Sequence, residues 1–235
     1  MADAREEHVW TRHAKDDHFR IEPYTKNANI EHLMSKMDFK PETVMDVGCG
    51  SGLWRPVFKD VIYVGVEQND TMLDAAVKHY PKCMCYKDPK IPGVADSVMS
   101  RSEYKDTFFV KYNARERFVD LFKFVEMPGY TGQMMMPQFF TPSLVFFSAV
   151  LQHNRESDKV EIFNNLKDFI VPGKYLMFTE NTFTPTNFNP PFLRFEEGQT
   201  DGWSYTQKGW IDFVSKFGFE IIENEPFNFY LFRRT

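Results

Sequence analysis

The stretch Val44-Met-Asp-Val-Gly-Cys-Gly-Ser-Gly-Leu-Trp54 decides the fold class of this chain. Its first four residues, 44–47, have the apolar character of a short buried strand. Gly48, Gly50 and Gly52 follow at alternate positions. Residues without a Cβ atom let the chain turn tightly and let a ligand lie against the bare backbone. The pattern therefore predicts a strand followed by a ligand-binding loop.

A second apolar run, residues 61–66, predicts another buried strand, and Glu67 follows it directly. Glu67 lies about 20 residues after Asp46, the spacing at which a nucleotide-binding α/β unit places a carboxylate on ribose hydroxyls. A dinucleotide-binding loop has the pattern G-x-G-x-x-G, in which the third glycine allows close helix–strand packing. That position is Leu53 here, which disfavours NAD as the ligand.

The run Asp-x-Gly-x-Gly-x-Gly from Asp46 to Gly52, with an acid ending the next strand, resembles motifs I and II of the class I S-adenosylmethionine (SAM) methyltransferases. In that family the loop lies against the methionine part of SAM and the acid holds the ribose. The resemblance implies SAM as cofactor and S-adenosylhomocysteine (SAH) as product. The cofactor-binding residues that it implies are Asp46, Gly48, Cys49, Gly50, Gly52, Glu67, Gln68, Asp88, Ala149 and Val150.

The composition agrees with a cytoplasmic enzyme. The formal net charge of −5 leaves no basic field that would indicate nucleic acid or an anionic membrane as a partner. The polar first residues lack the apolar core of a signal peptide, and no apolar run reaches transmembrane length. Cys49, Cys83 and Cys85 are odd in number and suit neither a disulfide framework nor a zinc site, so we expect reduced core thiols and no metal.

Strand and helix patterns alternate along the chain, which predicts a parallel sheet with right-handed crossovers. The predicted helices cover 27–37, 71–79, 156–169 and 207–217, and the predicted later strands cover 143–151, 175–179, 219–223 and 227–233. In the third helix Val160, Phe163, Leu166 and Phe169 are expected to face inward.

The last two predicted strands are close enough for a hairpin, which resembles the end of the class I methyltransferase fold. The resemblance covers about 43–88 and 142 to the C-terminus. We therefore expect one domain over 1–235, an α/β Rossmann-like fold. Its seven-stranded, mostly parallel sheet would have helices on both faces and a C-terminal antiparallel hairpin. Residues 1–40 would form an N-terminal helical cap.

Residues 89–142 are too long for a compact βα connection and predict an insertion or lid subdomain before strand four. Two assignments of the third strand compete. Residues 82–88 place Asp88 near the adenine, whereas residues 107–112 give that position to Asn113. The first assignment is preferred here because connections in βα units are usually short.

His153 follows the predicted fourth strand and Glu180 the fifth. Ligands of open α/β sheets lie beyond the carboxyl ends of the strands, so both side chains are expected beside the methyl group of SAM. Either could act as the base that removes a proton from an oxygen or amine nucleophile. A structural role stays open for each, such as capping the following helix or packing under a lid. The substrate-binding candidates are Trp54, Asn181, Trp203 and Tyr205.

The function expected from this resemblance is methyl transfer from SAM to an oxygen or nitrogen of a small molecule. The pairing of His153 with Glu180 and Asn181 is also similar to the protein α-amino methyltransferases, so a protein or peptide N-terminus is an alternative acceptor. A non-catalytic SAM-binding partner subunit is an alternative of another class. The sequence names neither the acceptor nor the oligomeric state.

Overall fold

The computed structural model describes residues 24–81, 83–86, 107–118, 141–180, 192–197, 200–225 and 228–235. Predictions for residues 1–23, for Asp88 and Asn181, and for most of 89–142 fall outside these residues. The chain divides into two compact units, Met1–Ile21 with Glu42–Pro142 and Glu22–Pro41 with Ser143–Thr235. The expectation of a single domain stays a prediction.

The described elements alternate between helix and strand through most of the chain. In chain order they are α1 (Tyr24–Ser35), β1 (Thr43–Val47), β2 (Ile62–Glu67), α2 (Asp70–His79), β3 (Met84–Tyr86), β4 (Thr107–Lys111), β5 (Leu144–Ser148), a 3₁₀ turn (Leu151–His153), α3 (Glu156–Phe169), β6 (Tyr175–Thr179), β7 (Phe192–Glu197), β8 (Thr200–Tyr205), α4 (Gln207–Ser215), β9 (Phe219–Glu225) and β10 (Phe229–Arg234).

The strands of the first unit are all parallel and lie in the order β3-β4-β2-β1. Their side chains form an aromatic core, in which the ring of Phe109 lies 6.1 Å from that of Tyr63 and 5.8 Å from that of Tyr80. α2 begins at a polar cap, since the Asn69 side chain accepts a hydrogen bond from the backbone N–H of Met72 at 3.1 Å. The expected strand–loop–strand–helix order of this unit is confirmed.

Both candidates for the third strand are strands, so the first unit has four described strands, β1 to β4, one more than the three expected before strand four. β2 is hydrogen-bonded to β1 on one side and to β4 on the other, where Glu67 pairs with Lys111. The preferred assignment of 82–88 to that position was wrong, because β3 pairs with the far side of β4. β4 is longer, and its Phe109 and Val110 are fully buried, as a central strand of a parallel sheet requires.

In the second unit, β5 and β6 are parallel, and β10 is antiparallel to both β6 and β9. The order is β5-β6-β10-β9, which confirms the C-terminal hairpin. α1 contacts β9 and β10, and its Ile30 and Leu33 are fully buried. Phe178 is central to the aromatic core of this unit, with ring centroids 5.4 Å from Trp210 and 4.8 Å from Tyr230.

An antiparallel ribbon of β7 and β8 lies where the sequence predicted only a long connection. Its pairing runs from Phe192 opposite Tyr205 to Glu197 opposite Thr200. The available hairpin signal was Gly198 followed by the polar Gln199, between two runs that contain aromatic residues.

All three cysteines are buried thiols outside any disulfide, which confirms the expected core thiols. No helix in the described ranges is long and apolar enough to cross a membrane.

Gly65 in β2 tests how tightly the first unit is packed. A Cβ atom there would lie 2.6 Å from Phe109 Cδ1 and 2.7 Å from Cys49 Sγ. Gly65→Ala should therefore lower the free energy of unfolding by about 1–3 kcal/mol, the usual cost of overpacking. Urea titration measures the free energy of unfolding of each variant. In the double variant with Phe109→Leu the loss should be smaller than the sum of the two single losses; strict additivity would contradict the packing explanation.

Candidate functional site

The glycine loop after β1 has a backbone that other residues adopt only with strain. Gly48, Gly50 and Gly52 have φ angles of 71°, 55° and 78°, all in the left-handed region. The N–H groups of Gly48 and Cys49 both donate to the carbonyl of Val66, at 2.7 and 3.1 Å. These bonds tie the start of the loop to the end of β2.

Gly50 and Gly52 serve different purposes in this loop. A Cβ atom at Gly50 would meet nothing within 4 Å, so the backbone there borders open space. A Cβ atom at Gly52 would lie 2.8 Å from Tyr80 Cε2 and 2.9 Å from Phe109 Cζ. The Tyr80 hydroxyl also donates to the Gly52 carbonyl at 2.8 Å. Gly52 thus allows the loop to pack closely against Tyr80 and Phe109.

The Glu67 carboxylate connects the end of β2 to the loop. Its Oε2 accepts from the N–H of Gly50 at 3.0 Å, and its Oε1 accepts from the N–H groups of Gln68 and Asn69, both at 2.8 Å. Burial raises the pKa of Glu67, and the three N–H donors act in the opposite direction. This acid holds the loop in shape in addition to the ribose role that the sequence resemblance implies.

Asp46 lies on β1 just before the loop and is 1% exposed. Its Oδ2 accepts a short hydrogen bond from the Tyr63 hydroxyl, whereas its Oδ1 accepts none from the described residues. Burial raises the pKa of Asp46 to about 7; the Tyr63 hydrogen bond lowers it, and the charge of Glu67 raises it further. A buried acceptor without a donor is costly, which makes this carboxylate an unusual feature of the unit.

The end of β4 adds a third segment beside the loop. The Tyr112 N–H donates to the Glu67 carbonyl at 3.0 Å, and Asn113 follows it. Asn113 Oδ1 accepts from the N–H of Arg115 at 3.0 Å, which forms a local turn. Asn113 comes two residues after β4, the neighbour of β2. The preferred assignment had expected Asp88 after the strand at this place in the sheet.

Two further predicted residues of the first unit are buried. Trp54 is 5% exposed and Cys49 is 4% exposed. Burial and the nearby Asp46 raise the pKa of the Cys49 thiol, so it stays protonated and unreactive. Little of the Trp54 ring is left to contact a substrate, and its predicted role there has no support from the geometry.

In the second unit, Glu180 follows β6 and is 2% exposed. Its Oε1 accepts from the N–H groups of Val150 and Leu151 at 3.0 and 2.8 Å, and its Oε2 accepts from that of Gln152 at 3.1 Å. Burial raises the pKa of Glu180 to about 7, against the lowering effect of these donors and of Lys159. The carboxylate caps the 3₁₀ turn, so the geometry supports the structural alternative over the role of base.

His153 is at the end of the same turn and is partly exposed. One of its ring nitrogens, Nε2, lies 3.1 Å from Nε2 of Gln152. Burial, helped by the positive charge of Lys159, lowers the pKa of His153 to about 4. The imidazole is therefore neutral near pH 7, which is the form that can accept a proton.

The start of the turn is strained. Ala149 has a φ angle of 54°, in the left-handed region that residues with a Cβ atom seldom adopt. Its N–H donates to the Thr179 carbonyl at 2.8 Å, and the Asn154 side chain donates to the Val150 carbonyl at 2.8 Å. Bonds at both ends hold the segment from Ala149 to Asn154 in one conformation. A cofactor role for Ala149 and Val150 stays a prediction.

Tyr205 and Lys159 complete this region. Tyr205 is 4% exposed and its hydroxyl donates to Glu156, so it is a core residue, and its predicted substrate contact has no support here. Lys159 is fully buried, whereas Val160, expected to face inward, is 37% exposed. Sequence reasoning missed Lys159, although it is spaced i, i+3, i+4 and i+7 with the buried Ile162, Phe163 and Leu166. The Trp203 side chain and Asn181 are outside what the structure describes.

Several solved structures share the fold of this chain at low sequence identity. A DhpI–SAM–HEP complex has a TM-score of 0.58 at 12% identity, covering 99% of this chain and 97% of that one. Burkholderia thailandensis 1,6-didemethyltoxoflavin-N1-methyltransferase has 0.60 at 12%, covering 99% and 87%. Streptomyces venezuelae DesVI has 0.56 at 14%, covering 92% and 94%. The chain therefore has the class I SAM methyltransferase fold.

No protein-family model matches the sequence, and no curated protein matches it significantly.

Asp46 makes stability depend on pH. Its pKa is about 7 in the folded protein against an ordinary value of 3.8, so the folded state binds more protons between these values. The stability it contributes is full below pH 4 and is lost as the pH rises through 7. The difference in unfolding free energy between wild type and Asp46→Asn should therefore fall by on the order of 2 kcal/mol from pH 5 to 7.5.

Urea unfolding at several pH values measures this difference. Asp70→Asn removes a carboxylate of the same unit whose side chain is 54% exposed, and it is the matched control. A wild-type to Asp46→Asn difference that does not change with pH would contradict the protonation of buried Asp46.

Proposed function

We propose that this protein is a SAM-dependent methyltransferase that acts on an oxygen or nitrogen of a small-molecule acceptor. The observation that carries the proposal is the glycine loop, held by the Glu67 carboxylate, within a class I methyltransferase fold. Gly50 gives the loop an open backbone face, and Glu67 Oε2 accepts only one of the three N–H bonds. The residues present thus suit a ligand with ribose hydroxyls that approaches the backbone closely.

The structural neighbours support the same cofactor and acceptor class. One is crystallised with SAM and another with SAH. The neighbours include a 1,6-didemethyltoxoflavin-N1-methyltransferase with bound 1,6-didemethyltoxoflavin and a glycopeptide N-methyltransferase complexed with sinefungin. We carry the cofactor and the acceptor class over to this chain as a proposal.

Each group of residues has its own part in the proposed reaction. When bound, SAM supplies a methyl group that its sulfonium sulfur has already activated. The glycine loop would give backbone contact, Glu67 would accept hydrogen bonds from the ribose hydroxyls, and Asn113 would lie toward the adenine. His153 accepts the proton of an O–H or N–H acceptor, because its imidazole is neutral near pH 7. Glu180 orients the turn that carries His153.

Binding of SAH tests the cofactor. A ligand that binds only the folded state raises the melting temperature, so SAM and SAH should stabilise the protein and NAD should not. Glu67→Ala should weaken SAH binding about ten- to a hundredfold, because charge-assisted hydrogen bonds are lost. Calorimetry measures the affinity.

Asp70→Ala is the matched control, since it removes an exposed carboxylate next to the site and should leave the affinity near wild type. Stabilisation by NAD with none by SAH would refute the proposal. Wild-type affinity in Glu67→Ala would remove this acid from the site.

His153 gives a kinetic test once an acceptor is found by screening metabolites and peptides for methyl transfer. A general base must be unprotonated, and the pKa of His153 is lowered to about 4. The rate should therefore stay constant as the pH falls below 6.5 and decline only near pH 4. His153→Ala should reduce turnover by about 10²- to 10⁴-fold and abolish this decline, with SAH affinity retained.

His32→Ala, which removes a surface histidine paired with Glu225, is the control for loss of an imidazole. Wild-type turnover in His153→Ala would show that the reaction needs no base at this position.

A further inference from the structure

Lys159 is a fully buried cation in the core of the second unit. It lies on α3, and its Nζ is 5.1 Å from the ring centroid of Tyr205 and 5.5 Å from that of Trp210. Two aromatic faces at these distances attract an ammonium group and replace part of its lost hydration. A buried lysine is rare unless charged partners accompany it.

The charged groups around Lys159 come from three elements. Glu180 follows β6, Glu156 and Asp158 belong to α3 itself, and His153 ends the 3₁₀ turn. Burial lowers the pKa of Lys159 to about 8, while the three acids raise it. Lys159 therefore carries its charge at pH 7 and below, where His153 would gain a proton.

Tyr205 is a further ionisable group against this lysine among the described residues. It belongs to β8, which packs against the 3₁₀ turn, and its hydroxyl donates to Glu156. Burial and this hydrogen bond raise its pKa, so the phenol is neutral. The hydrogen bond also fixes the ring that Lys159 contacts.

We propose that Lys159 is a positioning residue, a buried cation that stabilises the Glu180 carboxylate at the 3₁₀ turn and opposes protonation of His153. Glu180 needs a counter-charge because it is 2% exposed, and Lys159 supplies one from within the same unit. The Glu180 carboxylate accepts three backbone N–H bonds and thus holds the turn. A cation in this core also makes a second positive charge on His153 unfavourable.

The catalytic consequence rests on the proposed function. If His153 is the base, Lys159 extends the pH range over which that base is unprotonated. Lys159 has no contact with a reacting group in this account and acts only through Glu180 and His153.

Nuclear magnetic resonance titration of the His153 imidazole in the full-length protein tests the proposal without SAM or an acceptor. The signal is assigned by its loss in His153→Gln, since the chain has six histidines. Lys159→Met keeps the length of the side chain against the two rings and removes the charge, and Lys159→Gln is a second neutral variant. Lys159→Arg keeps the charge. Lys208→Met, which removes an 84% exposed lysine of the same unit, is the matched control.

In the neutral variants the midpoint of the His153 titration should rise by on the order of one pH unit. It should stay near the wild-type value in Lys159→Arg and Lys208→Met. With a known acceptor, the acidic decline of kcat/KM should move up by the same amount, while calorimetric SAH affinity stays within about twofold of wild type.

An unchanged His153 midpoint in a folded neutral variant would overturn the proposal. Loss of folding in both neutral variants, with a folded Lys159→Arg, would assign Lys159 to core stability alone and would also overturn it. Failure of the wild type to bind SAH would instead refute the cofactor proposal and leave the titration result standing, so the two failures are distinguishable.

Discussion

A carboxylate that accepts three backbone N–H bonds fixes the loop next to it, and the rest of each unit's site depends on this interaction. In the first unit Glu67 binds the N–H groups of Gly50, Gln68 and Asn69. In the second unit Glu180 binds those of Val150, Leu151 and Gln152. Glu67 is the last residue of the parallel strand β2 and Glu180 directly follows the parallel strand β6, so hydrogen-bonded strands hold both carboxylates in place.

These carboxylates are costly to bury, and the structure offsets the cost in two ways. Backbone N–H donors stabilise the charged form directly, and Lys159 adds a positive charge near Glu180. The remaining desolvation is large enough that burial still raises the pKa of both acids. Strain accompanies the bonds at Ala149, which has a left-handed φ angle, whereas glycine at position 50 adopts such an angle without strain. Backbone strain held by a hydrogen-bond network is typical of functional sites.

Many of the aromatic residues in the described ranges belong to the core. Phe109 packs between Tyr63 and Tyr80 in the first unit, and Phe178 packs on Trp210 and Tyr230 in the second. Their large apolar surfaces give each unit a rigid interior around its strands. A rigid core keeps buried polar groups in place, whereas a looser core would let water reach them.

The sequence by itself determined the features that depend on local pattern. The glycine loop, the strand before it, the bounds of α3 and β6, and the C-terminal hairpin were all readable from periodicity and turn residues. The resemblance carried by Asp46 to Gly52 and Glu67 led to the correct fold. These features need only a few consecutive residues, because helix and strand periods repeat within one element.

Only the tertiary structure decided which residues meet. Loop length favoured residues 82–88 beside β2, but the buried apolar strand β4 takes that position. Glu180 was a candidate base until its contacts with the 3₁₀ turn, 28 to 30 residues away in sequence, showed it to be a cap. Lys159 was not among the residues expected to face inward, yet its charge lies against aromatic rings from β8 and α4. Strand neighbours, counter-charges and burial depend on contacts between distant segments, and local sequence pattern does not encode them.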